Sequence, residues 1–163
     1  MSKNYLIVGA SSGIGEACVK LLSSKGFQVL ATTRDPSKAE HLAQLPNVKV
    51  IKLDILNYED VQKTCDQLKK DYQIVYSNAG LGMTVPIELE TMEEIRKLYE
   101  LDFFATVNVI KQFITYFKEK KQGLFMVSSS LASVVAITLQ SAYGSAKRAL
   151  NSFCESLYYE LKP

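Results

Sequence analysis

The sequence predicts an α/β fold built on a doubly wound parallel sheet. Short, mostly apolar runs rich in Val and Ile alternate with longer amphipathic stretches along the whole chain. The first of these runs passes straight into a glycine-rich turn that opens a helix. No repeat, low-complexity tract or linker interrupts the alternation, and 163 residues suffice for one domain. Strands that are apolar on both faces belong in a parallel sheet covered by helices on each side. Right-handed crossovers then give a doubly wound sheet, with the strand order 3-2-1-4-5 expected.

Each element has its own signal. Tyr5–Val8 reads as a short buried strand, and Gly13–Lys25 as a helix with apolar positions at Ala17, Cys18, Leu21 and Leu22. Gln28–Thr33 reads as the second strand, followed by a helix over Ser37–Leu45 with Asp35 as its cap. Val48–Leu53 is the third strand, and Asn57 and Asp60 offer capping chemistry to a helix over Tyr58–Asp71. Gln73–Ser77 and Gly123–Ser128 supply the last two strands, separated by one long helix over Thr91–Lys120. Its end, Lys118-Glu119-Lys120-Lys121, puts solvated positive charge against the negative end of the helix dipole. A final helix over Ser141–Leu161 carries Tyr143, Ala146, Leu150, Phe153, Leu157 and Leu161 on an apolar stripe.

Composition narrows the function. The chain is 47% hydrophobic and 22% charged with a net charge of +2, so there is no electrostatic case for a nucleic-acid partner. Cys18, Cys65 and Cys154 are odd in number, far apart and within helical patterns, which predicts reduced, packed thiols and no metal site. His41 has no Cys or His partner and reads as a surface residue. No stretch can span a membrane and the N-terminal apolar run is too short for a signal peptide, so a cytoplasmic location is expected.

Two constellations carry chemistry. In Gly9-Ala10-Ser11-Ser12-Gly13-Ile14-Gly15 the glycines let the backbone turn sharply and approach a pyrophosphate, whose charge meets N–H groups at a helix start. Tyr143 and Lys147 are four residues apart, so on a helix an ammonium lies beside a phenol. The positive neighbour favours phenolate and brings a tyrosine toward the range where it transfers protons near neutral pH.

The glycine spacing G-x-x-x-G-x-G, the segment Ser77-Asn78-Ala79-Gly80 and the set Ser130, Tyr143 and Lys147 occur in this order from about Lys3 to the last residue. In these motifs the chain resembles the short-chain dehydrogenase/reductase family, a Rossmann-like fold. The resemblance implies hydride exchange between a nicotinamide cofactor and a small carbonyl or alcohol. Ser130, thirteen positions before Tyr143, would hold the substrate oxygen, Tyr143 would supply the proton, and Lys147 would support Tyr143 and bind nicotinamide ribose. Gly9, Ser11, Ser12, Gly13, Ile14 and Gly15 would cradle the cofactor phosphates. Thr33 takes the position of an NAD-selecting carboxylate and Arg34 follows it, which implies NADP(H), with NAD(H) as the alternative. No basic residue precedes Gly13 to reinforce that choice. Asp54 and the backbone of Ile55 would contact adenine, although Asp54 also reads as a turn cap. Asn78, Ala79 and Gly80 would tie strands together and let the cofactor approach; the first residue of that motif is Ser77 here.

Asp102 departs from the pattern. It stands where the family has an active-site asparagine, and Asn108 lies too far downstream to replace it. Its charge near Lys147 would offset the positive field on Tyr143. The resemblance also implies a homo-oligomer through helices Thr91–Lys120 and Ser141–Leu161. Similar proteins continue beyond the last helix with two more strands and a substrate loop, so the expectation is one dinucleotide-binding domain over residues 1–163, incomplete at its C-terminus. A nucleotide-binding but inactive fragment, or a dimerisation module, is the competing expectation.

Overall fold

The computed structural model describes residues 3–162. Five strands, β1 (Asn4–Val8), β2 (Gln28–Thr33), β3 (Val48–Lys52), β4 (Ile74–Ser77) and β5 (Leu124–Val127), form one parallel sheet. Its order is β3-β2-β1-β4-β5, the doubly wound order expected from the sequence. The chain divides into two compact units. One comprises the chain up to Ala79 together with Asn108–Ser128, and the other comprises Gly80–Val107 with the residues from Ser129 onward.

The first unit contains the whole sheet with α1 (Gly13–Ser24), α2 (Glu40–Ala43), α3 (Tyr58–Leu68) and most of α5 (Ala105–Lys120). Alternation along each strand decides which side chains meet which helices. Ile7, Val29 and Ala31 pack with Val19 of α1 and with Ala39 and Leu42, edged by Tyr5, Val48 and Val50. Leu6, Val8 and Leu30 point the other way and are also fully buried. On α5, Phe113 and Phe117 are stacked in a tilted row that continues to Phe125 of β5. Truncating a buried leucine such as Leu6 to alanine costs about 2–5 kcal/mol in cores of this kind. Cys65 is buried in α3, and burial pushes its thiol up to about 12.

The second unit contains α4 (Met92–Tyr99), the first turn of α5 and α6 (Ser141–Leu161). A capping box starts α4: the Glu94 N–H donates to Thr91 Oγ1, and the Glu94 carboxylate accepts from the Thr91 N–H. Helix α6 buries Ala142, Ala146, Leu150 and Leu157, a stripe at helical spacing that also includes Lys147. The Tyr99 hydroxyl donates to Ser145 Oγ at 2.9 Å, and Phe103 meets Phe153 edge-on.

Three helix expectations need correction. The segment predicted as a helix over Ser37–Leu45 is a 3₁₀ turn, Pro36–Ala39, followed by the short α2. Asp35 caps that turn through the Ser37 N–H, and the tighter winding places Ala39 and Leu42, three apart, on the sheet together. The helix predicted over Thr91–Lys120 is interrupted by one wide π turn at Glu100–Phe104. The third predicted helix ends at Leu68, three residues early. No helix among the described residues is long and apolar enough to cross a membrane.

Candidate functional site

Within the first unit, β1 ends at Val8 and passes into the glycine turn. Gly9 has φ +81°, and a Cβ there would come within 2.6 Å of the Ala79 backbone, so neither turn nor packing admits a side chain. Gly15 is buried against the Gly9 carbonyl and Asn78, where a Cβ would collide with both. Gly13 has φ +56° and open space where its side chain would be. Ser12 precedes α1 without a side-chain cap bond, so the N–H groups of the first turn are not capped by it. A bare backbone approach, open space at Gly13 and a helix start without a side-chain cap suit an anion of pyrophosphate size. Ser11 is half-buried, while Ser12 and Ile14 are exposed beside it.

Asn78 holds this turn in place. Its Nδ2 donates to the Gly9 carbonyl at 2.9 Å, and its Oδ1 accepts from Tyr76 Oη (3.1 Å) and Ser128 Oγ (2.8 Å). The N–H groups of Asn78 and Ala79 both donate to the Val8 carbonyl. One side chain therefore ties the ends of β1, β4 and β5. Arg34 is exposed at the end of β2, next to Thr33, which is buried and hydrogen-bonded to the Asp35 backbone. Asp54 Oδ1 accepts from the Leu56 N–H at 3.1 Å, a turn-capping bond, and Ile55 is buried beside it.

Within the second unit, α6 presents Tyr143 and Lys147 on one face, with the Lys147 ammonium 5.8 Å from the centre of the Tyr143 ring. Lys147 is almost fully buried and lies 3.4 Å from Asp102 Oδ2, a buried ion pair rather than a well-formed hydrogen bond. Asp102 is completely buried in the π turn, and its Oδ1 accepts from the Leu81 N–H at 2.7 Å. Burial raises the Asp102 carboxyl above its ordinary range; the Leu81 N–H and the Lys147 charge oppose that rise without cancelling it. Gly80 packs over the pair: a Cβ there would stand 3.1 Å from Lys147 Nζ and 3.2 Å from Asp102 Oδ1.

Ser130 caps the 3₁₀ turn Leu131–Ser133, its Oγ accepting from the Ala132 N–H at 3.2 Å. That leaves its hydroxyl hydrogen to donate elsewhere. Two neighbouring residues escaped sequence reasoning. Gly144 lets α6 approach this turn, since a Cβ would come within 2.9 Å of the Ala132 carbonyl. Ser133 is buried. Its Oγ donates to the Ser130 carbonyl (2.6 Å) and accepts from Asn151 Nδ2 (2.7 Å), while its own carbonyl accepts from Arg148 Nε (2.8 Å). A glycine inside a helical pattern signalled the first contact; a serine in a polar loop gave no signal of the second.

With this geometry in hand, comparison with known proteins is specific. The family model for short chain dehydrogenases matches residues 3–163. The 3-ketodihydrosphingosine reductase of Bacteroides thetaiotaomicron is 30% identical over 161 residues, covering 97% of this chain and 58% of that protein. Human retinol dehydrogenase 8 is 31% identical over 168 residues, covering 98% of this chain and 54% of that protein. A short-chain dehydrogenase from Streptomyces avermitilis superposes with a TM-score of 0.94 at 26% identity, covering 100% of this chain and 62% of that one. The alcohol dehydrogenase of the archaeon Thermococcus sibiricus, solved with 5-hydroxy-NADP, superposes with a TM-score of 0.89 at 28% identity, covering 98% and 72% of the two chains. The chain belongs to the short-chain dehydrogenase family. It spans little more than half the length of the two curated relatives.

Proposed function

We propose that this chain carries the cofactor-binding and proton-transfer residues of an NADP(H)-dependent oxidoreductase that interconverts a carbonyl and an alcohol. The observation that carries the reading is the pairing of Tyr143 with the buried Lys147 on one face of α6. In this reading Tyr143 is general acid in reduction and general base in oxidation, with the Lys147 ammonium beside its ring on the same helix face. Ser130 donates its free hydroxyl hydrogen to the substrate oxygen, where charge develops. When bound, a nicotinamide cofactor would supply or accept the hydride. The glycine turn holds the phosphates through backbone N–H groups, Asp54 and Ile55 border the adenine, and Asn78, Ala79 and Gly80 keep the approach free of side chains. Thr33 in place of a carboxylate, with Arg34 after it, favours a 2′-phosphate, and the Thermococcus relative was solved with an NADP derivative. The exposed Leu81, Val135, Ile137 and Leu139 suit an apolar substrate, and the helices around α4, α5 and α6 are proposed to pair between copies of the chain.

The test is Tyr143→Phe. Turnover with a panel of carbonyl substrates should fall to background while NADPH binding, followed by its fluorescence, stays within about twofold of wild type. Turnover that survives the substitution removes Tyr143 from the reaction. One observation favours a second reading, a nucleotide-binding protein without turnover: the Asp102 carboxylate lies 3.4 Å from Lys147 and neutralises the charge that Tyr143 needs. Cofactor binding with no turnover across the panel by the wild-type protein would select it.

A further inference from the structure

The end of β2 holds more positive charge than Arg34 alone. In the sheet register Thr33 of β2 lies opposite Lys52 of β3. Partners in a parallel pair point to the same face, and adjacent strands are only about 4.8 Å apart. That face is identified by its core: Val29 and Ala31 of β2 and Val48 and Val50 of β3 all turn toward α1 and α2. Continuing the alternation by two residues on each strand brings Thr33 and Lys52 to the same side, at the carboxyl edge of the sheet. Thr33 is buried and tied to the Asp35 backbone, whereas Lys52 is exposed, so the short hydroxyl leaves room that the long flexible stem can cross.

We propose that Lys52 is a specificity residue that, together with Arg34, holds the 2′-phosphate of NADP(H) beside Thr33. The inference rests on the cofactor reading above and extends it to a residue on a different strand. Other charges around the turn agree with it. The Asp35 carboxyl lies below its ordinary range because the Ser37 hydroxyl and N–H donate to it, and because the ammonium groups of Lys38 and Lys52 act on it through space. The charge of Lys52 is therefore within electrostatic reach of the turn that follows Thr33. Asp35, the carboxylate of that turn, is committed to Ser37 as the cap of the 3₁₀ turn. Arg34, Lys38 and Lys52 against Asp35 leave the turn with a positive balance that suits a dianion.

Isothermal titration of the purified protein with NADPH and with NADH tests the proposal, using wild type, Arg34→Gln, Lys52→Gln and Lys52→Arg. Wild type should prefer NADPH. Lys52→Gln should weaken NADPH about tenfold and leave NADH within about twofold, and Lys52→Arg should restore most of the loss. The NADPH affinity lost in Lys52→Gln should also reduce the salt dependence of binding. If Arg34→Gln impairs NADPH binding while Lys52→Gln does not, Lys52 has no part in recognition although the NADP(H) reading stands. If Lys52→Gln weakens both nucleotides equally, the lysine supports the strand and not the phosphate, and the proposal fails. A wild type that prefers NADH, or treats both alike, overturns the cofactor reading itself.

Discussion

Asp102 is the residue where charge, burial and position conflict most directly. Its side chain is fully buried, its Oδ1 is satisfied by Leu81, and its Oδ2 faces Lys147 at 3.4 Å. Burial raises its carboxyl above the ordinary 3.8. The folded state then holds the proton more tightly than the unfolded chain does. This contribution to stability is complete below the unfolded value and is lost as pH rises through the higher folded one. Asn at this position keeps the acceptor for Leu81 and removes the titration. We expect Asp102→Asn to gain stability relative to wild type as pH rises from about 4 to about 7, measured by denaturant unfolding at each pH. A difference that stays constant, or moves the other way, would show that the carboxyl is not raised. The same substitution should increase turnover near neutral pH, because the field of Lys147 then falls undivided on Tyr143. An unchanged or lower rate would count against that account of the site.

At the scale of elements, the α6 contact with the Ser130 turn sets the geometry of the proposed chemistry. Gly144 follows Tyr143 and faces the Ala132 carbonyl so closely that a Cβ would stand 2.9 Å away. Gly144→Ala gains about 1 kcal/mol of helix propensity and incurs about 1–3 kcal/mol of overpacking against a backbone atom. The net change is at most about 2 kcal/mol of destabilisation, so in the folded protein the displacement of Ser130 from Tyr143 should dominate the phenotype. Turnover should drop about tenfold or more while the helical circular dichroism and NADPH affinity hold. Full activity in this variant would remove the contact from the design of the site. The individual elements were readable to different degrees for physical reasons. The glycine turn and the Tyr143–Lys147 pair are local patterns, set by backbone sterics and by the pitch of one helix. The π turn at Glu100–Phe104 was not readable, because Leu98, Ala105, Val109 and Phe113 continue the apolar pattern across it without a glycine or proline. Ser133 was equally hidden, since its partners Arg148 and Asn151 are brought to it only by packing. The sheet order was expected from the alternation of strands and helices taken with the family resemblance, without any contact being known.

For the whole molecule, the two ends of the sheet differ in how they resist association. The β3 edge carries exposed lysines at positions 49 and 52, which discourage a further strand. The β5 edge reads Leu124-Phe125-Met126-Val127, with Leu124 49% and Met126 45% exposed, and no second strand pairs with it among the described residues. A net charge of +2 adds little repulsion between copies. The 163-residue chain should therefore self-associate through β5 as concentration rises. Met126→Lys places charge on that edge and should suppress the association. Tyr159→Lys, at a residue of α6 that is 73% exposed, changes net charge equally and serves as the control. Sedimentation velocity over a concentration series separates the two surfaces. If Met126→Lys alone restores a single slow species, the strand edge is responsible. If Tyr159→Lys has the same effect, net charge or the α6 surface governs association, and the edge argument is wrong.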